Sequence, residues 1–162
     1  MNIFNVMKVC VKDNGLSCKY EVFDEKRNED YIAQFQTKQL IHPDLSTAMQ
    51  SLAVFVADLM PSLKKMKDRI RIQGFYIVPS GTKRMVFIYA KVAPDFTDDE
   101  LIDITVHVLV GGNSDDEAYP QEDLLLDAID RCADEALKFI NEGKKFDSEK
   151  PIVLDFDKIS NR

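Results

Sequence analysis

Alternation with a period of two constrains this chain more than any other feature. Leu16, Cys18, Tyr20 and Val22 alternate with Ser17, Lys19 and Glu21, and Ile102, Ile104, Val106, Val108 and Val110 alternate with Asp103, Thr105 and His107. Successive side chains on a strand point to opposite faces, so such runs belong to half-buried strands and do not suit a helix. Met7, Val9 and Val11 repeat the pattern ahead of Asp13-Asn14-Gly15. Asn-Gly is a hairpin signal because both turn positions require positive φ. Beyond the polar turn from Asp24 to Asp30, Tyr31, Ala33 and Phe35 supply a third run. The first forty residues therefore read as a three-stranded meander.

A second β region begins at Ile70, where Ile70, Ile72, Gly74, Tyr76 and Val78 share one parity. Pro79-Ser80-Gly81-Thr82 turns the chain, and Met85 to Val92 returns with apolar residues on both faces, as expected of an interior strand. Two helices punctuate the strands. His42-Pro43-Asp44 opens the first, because Pro43 disfavours helical geometry at His42 and has no N–H to leave unpaired. Leu45, Ala48, Met49, Leu52, Phe55, Val56 and Leu59 form its apolar stripe, and Pro61 marks its end before the basic connector Lys64-Lys65-Met66-Lys67. Thr97 and Glu100 have capping-box spacing for one helical turn. The second helix is expected from about Gln121 to Asn141, with Leu125, Ala128, Ile129, Cys132, Ala136, Phe139 and Ile140 inward and Gly143 as a left-handed stop.

The order βββ-α-βββ-α predicts an α+β fold: an antiparallel or mixed sheet of about six strands with two main helices packed on one face. With 162 residues, 45% of them hydrophobic and 30% charged, the chain is long enough for one core. Residues 1–146 read as a single domain and 147–162 as a C-terminal tail or edge strand. No apolar run reaches the roughly 18–20 residues of a membrane span, and the first residues lack a signal-peptide pattern. Three widely spaced cysteines make neither a disulfide framework nor a zinc site, so a cytoplasmic protein with reduced thiols is expected.

Charge is strongly segregated. Pro61 to Pro94 holds eight basic residues and one acid, whereas Asp95 to Glu135 holds fourteen acids and one base. Three readings are open: the two blocks neutralise one another in the fold and the acidic helix face is merely solvated; the acidic block is displayed to a protein with a basic surface; or Lys64, Lys65, Lys67, Arg69 and Arg71 make weak, non-specific contacts to phosphates, which the acidic block would oppose. In the second reading the partner-binding residues are Asp115, Asp116 and Glu117 in a loop and Asp123, Asp127, Asp130 and Asp134 on the wet face of the second helix. A homodimer stays open. The net charge of −7 argues against direct nucleic-acid or membrane binding, although Tyr76, Phe87 and Tyr89 could stack bases; cross-strand pairing is the simpler use of such rings.

Catalytic patterns are missing. His42 and His107 are far apart, and Cys18 and Cys132 fall on apolar faces where thiols are inert. Gly111-Gly112-Asn113-Ser114 lacks a phosphate-loop lysine. No catalytic residue, cofactor or metal ligand is assigned. Two alternatives carry named residues: a small-ligand or nucleotide binder using Arg69, Arg71, Lys83 and Arg84, and a metal-dependent enzyme using Asp98, Asp99, Asp103, Asp115 and Asp116, whose spacing fails the calcium-loop pattern.

Three stretches in order carry a resemblance: His42-Pro43-Asp44-Leu45, the strand Ile70-Arg71-Ile72-Gln73-Gly74-Phe75, and Asp134-Glu135-Ala136-Leu137-Lys138-Phe139-Ile140-Asn141-Glu142-Gly143-Lys144-Lys145. Together they resemble a group of small phage- and prophage-encoded proteins of unknown function, with a His-Pro-Asp helix start and a Gly-Lys-Arg-type helix end. Glu142 departs from that pattern. The shared motifs are a cap, a strand and a stop, so no site residue transfers. The resemblance implies a phage setting and an accessory role beside phage DNA metabolism or host defence; a binding protein of that kind could act as an inhibitor. Val153-Leu154-Asp155-Phe156 is loosely similar to tails that dock on a replication sliding clamp, without their glutamine.

Overall fold

A computed structural model describes residues 2–12, 15–93, 101–111 and 118–145. Three strands form the meander, β1 (Asn2–Lys12), β2 (Gly15–Asp24) and β3 (Glu29–Thr37). Two short helices follow, α1 (Pro43–Gln50) and α2 (Ala53–Leu59), then 3₁₀ turns over Pro61–Arg69. Next come β4 (Ile70–Ser80), β5 (Lys83–Val92), β6 (Ile102–Val110) and the long helix α3 (Glu122–Glu142). The six strands make one sheet in the order β3-β2-β1-β4-β5-β6, antiparallel throughout. The expected α+β class, strand number and one-sided helix layer are all present.

The helices cover one face of this sheet. Val9, Leu16, Cys18, Val22, Phe75, Val86, Ile88 and Val106 point into the layer between sheet and helices, where Leu45, Leu52, Val56, Leu125, Ala128 and Cys132 meet them. α2 packs over β4 and β6, and α3 lies against α1 and β1. Phe139 of α3 meets Phe35 of β3 edge-on, with ring centroids 5.9 Å apart.

Local chemistry explains the elements. His42 caps α1, its Nδ1 accepting the Asp44 N–H at 3.0 Å, which is the capping role expected at a helix entrance. Gly143 ends α3 at φ 70°, and its N–H and that of Lys144 return to the Phe139 and Lys138 carbonyls. The helix expected to run unbroken from Pro43 to Pro61 instead breaks at Ser51-Leu52. The Ser51 hydroxyl donates to the Ala48 carbonyl at 2.6 Å, and the Leu52 N–H turns back three residues to Met49. A serine that competes for a backbone carbonyl bends a helix in this way.

Two glycines act by clearance. At Gly15 a Cβ would sit 2.2 Å from the Thr37 carbonyl oxygen, so this glycine serves the β2–β3 approach rather than a positive φ. The preceding turn residues, Asp13 and Asn14, lie outside the described residues. At Gly74 a Cβ would sit 2.4 Å from the Val9 carbonyl oxygen and 2.6 Å from Cys10 Sγ, where β1 and β4 meet over the short register from Lys8↔Tyr76 to Cys10↔Gly74.

One expectation about β4 is corrected. Ile70, Ile72, Gly74, Tyr76 and Val78 do not share a face, because the pairing with β5 slips between Ile72↔Ala90 and Gly74↔Tyr89. The extra residue, Gln73, makes a bulge and exchanges the faces beyond it. Ile70, Ile72 and Phe75 are therefore buried under the helices, while Tyr76 and Val78 turn to the uncovered side. The N-terminal half of β4 lies beyond the β1 pairing, and there Gln50 stands in for a strand. Its Nε2 donates to the Ile70 carbonyl at 2.6 Å and its Oε1 accepts the Ile72 N–H at 3.3 Å.

Candidate functional site

The molecule offers two surfaces with different chemistry. On α3, Asp123, Asp127, Asp130 and Asp134 stand at i, i+4, i+7 and i+11, one stripe of the helix, and all four are exposed. Among the described residues none has an ion-pair or hydrogen-bond partner for its side chain. Leu124, 58% exposed, adds an apolar group beside the stripe.

Glu135, one residue further on, is used differently. Its carboxylate accepts from Lys138 Nζ at 3.0 Å and from Lys144 Nζ at 3.0 Å, and Lys144 also reaches Asp44 Oδ2 at 2.6 Å. Burial pushes the Glu135 carboxyl up, but its two lysines outweigh this and hold it below the usual range. The hydrogen bond from Lys144 likewise lowers Asp44, and both bonds raise Lys144. This cluster ties the end of α3 to the start of α1. It is a structural clamp, distinct from the unpaired stripe.

The second surface is the face of the sheet opposite the helices, which no described helix covers. Lys8 and Cys10 of β1, Ser17 and Lys19 of β2, Tyr76 of β4, Phe87 and Tyr89 of β5, and Thr105 and His107 of β6 lie side by side in register. None of these residues is fully buried. Lys8 Nζ and Lys19 Nζ both stand over the Tyr76 ring, 5.4 and 5.7 Å from its centroid. Phe87 and His107 rings lie 5.9 Å apart. Tyr76 and Phe87 are cross-strand partners, as simple sheet pairing implies, yet the pair faces outward.

Most other candidates do not assemble. Arg69 and Arg71 sit at one end of the β4–β5 hairpin, and Lys83 and Arg84 at the other. Arg71 and the Arg84 partner Pro79 are about 26 Å apart along β4, at roughly 3.3 Å per residue, so the four make no single pocket. Asp103 is exposed and faces Lys91 at 3.9 Å, an ion pair between the acidic and basic blocks. Asp98, Asp99, Glu100, Asp115, Asp116 and Glu117 lie outside the described residues, as do the 97–100 turn and the 147–162 tail. Among the described residues no metal-ligand cluster forms. Cys18 and Cys132 are buried, and burial pushes both thiols up to about 12. Tyr119 donates to Asp58 Oδ2 at 2.5 Å; burial and that carboxylate both raise its phenol, and the bond pins the start of α3 to α2.

Sequence reasoning assigned no role to Lys8, Lys19 or Gln50. The polar parity of β1 and β2 signalled the two lysines. Their convergence on Tyr76 depends on the non-local β1–β4 pairing and on the Gln73 bulge. No described helix is long and apolar enough to cross a membrane. Compared with protein-family models, curated proteins and solved structures, the chain matches none.

Proposed function

We propose that this is a cytoplasmic binding protein without catalysis of its own, which docks the acidic stripe of α3 on a basic surface of another protein. The observation that carries this reading is the unpaired state of Asp123, Asp127, Asp130 and Asp134 among the described residues. Like charges at i,i+3 and i,i+4 destabilise a helix by about 0.2–0.5 kcal/mol per pair. A stripe held at that cost, beside an exposed Leu124, has the composition of an electrostatic docking ridge with an apolar contact. The phage resemblance names the candidate partners: nucleic-acid-handling or defence proteins whose basic site such a ridge would cover.

The test is affinity capture from the native host with two baits, wild type and Asp127→Lys/Asp130→Lys, at low and high salt. The reading expects a basic protein held by the wild type at low salt, released by salt and lost with the variant. Capture that is equal for both baits would refute it. With the partner in hand, the association rate should fall steeply with ionic strength.

A further inference from the structure

The uncovered sheet face bears the opposite charge from α3. Across it the strand registers line up Lys8, Lys12, Lys19, Arg71 and Lys91 against Glu21 and Asp103, with Asp30 at the far corner. The net charge of −7 averages over these two sides and conceals the basic one. Lys8 and Lys19 converge on the Tyr76 ring, and among the described residues neither ammonium has a carboxylate partner. Two like charges drawn over one ring repel each other, and a bound anion relieves that repulsion. Phe87 lies beside Tyr76, and Tyr89 lies two residues along β5 on the same face, about 6.7 Å away by strand rise. At the edge of the face, Lys12, Ser17, Gln36 and Lys38 line a shallow hollow, where Lys38 adds one more ammonium group.

We propose that this face binds single-stranded nucleic acid, with bases stacked on Phe87 and Tyr89 and a phosphate held between Lys8 and Lys19. Rings on an open sheet give bases a stacking surface that is tolerant of sequence, while lysines follow the backbone. A second copy of this chain is the poorer occupant, because face-to-face pairing would set lysines against lysines. The inference goes beyond the proposed function, since it uses the side of the molecule opposite the helix layer.

The experiment is fluorescence anisotropy with fluorescein-labelled twelve-residue oligothymidylate and oligouridylate, alongside sedimentation velocity of the protein alone. Binding is expected with a dissociation constant on the order of 10 μM at low salt. Phe87→Leu and Tyr89→Leu keep apolar bulk and should each weaken binding about tenfold. Lys8→Gln/Lys19→Gln should flatten the dependence of log K on log salt by about 0.7 per lysine. Asp127→Asn/Asp130→Asn should leave binding in place, which separates this result from the fate of the α3 ridge. No binding by the wild type, binding indifferent to all four face substitutions, or self-association abolished by Phe87→Leu would each overturn the proposal.

Discussion

The two faces of one sheet show how the same alternation serves two ends. On the helix-covered side, Phe75, Val86 and Ile88 are wholly buried, and their neighbours are apolar. On the other side Tyr76, Phe87 and Tyr89 are only half-buried, and lysines stand among them. The sequence of β5 is apolar on both faces, which by pattern alone implies cover on both. An apolar strand face can therefore lie on the side of a sheet that no described helix covers, and the charges on adjoining strands mark which face that is.

Truncation should separate the faces most sharply. Phe75→Ala empties a fully buried site and should destabilise by about 3–5 kcal/mol in denaturant unfolding, whereas Phe87→Ala on the open face should cost about 1 kcal/mol. Equal losses would mean that the outer face is core. Gln50→Ala should come next, at about 1–2 kcal/mol, because the Ile70 carbonyl and Ile72 N–H lose their partner; hydrogen exchange at Ile72 should quicken first.

The Lys144 clamp gives a smaller effect that depends on pH. Asp44 and Glu135 are lowered from ordinary values of 3.8 and 4.5, so their contribution is full above those values and is lost as pH falls through the lower folded ones. Lys144 is raised from 10.5, so its contribution is full below that value and is lost as pH rises through the higher folded one. Lys144→Met should therefore lower the melting temperature between about pH 5 and pH 10 and make little difference near pH 2. A pH-independent decrement would assign the loss to packing. Smallest of all, and opposite in sign, Asp130→Lys should raise stability by about 0.5 kcal/mol, since it converts like pairs on α3 into attractive ones. A gain in stability joined to loss of capture would mark the stripe as functional; an unchanged melting curve would leave it without the strain assigned to it.

Much of this architecture was legible because its signals are local. The alternation of β2 and β6, the His42-Pro43 entrance to α1 and the Gly143 stop depend on residues within a few positions of each other, and all appear as expected. The acidic wet face of α3 was legible for the same reason. Three features were not. The Gln73 bulge inverts the faces of β4, the Ser51 hydroxyl breaks a helix whose apolar stripe runs on unbroken, and Gln50 pairs with a strand 20 residues away. Each depends on backbone geometry that residue type alone does not determine. The open basic face follows from the first of these, because without the bulge Tyr76 would turn inward.

The helix ridge and the open sheet face are proposed as separate surfaces that sort partners by charge. Backbone amide shifts on titration with unlabelled twelve-residue oligothymidylate test this separation most directly. Movement is expected at Lys8, Lys19, Tyr76, Phe87 and Tyr89, with the amides from Asp123 to Asp134 unmoved. Shifts that centre on α3, or none anywhere, would contradict it.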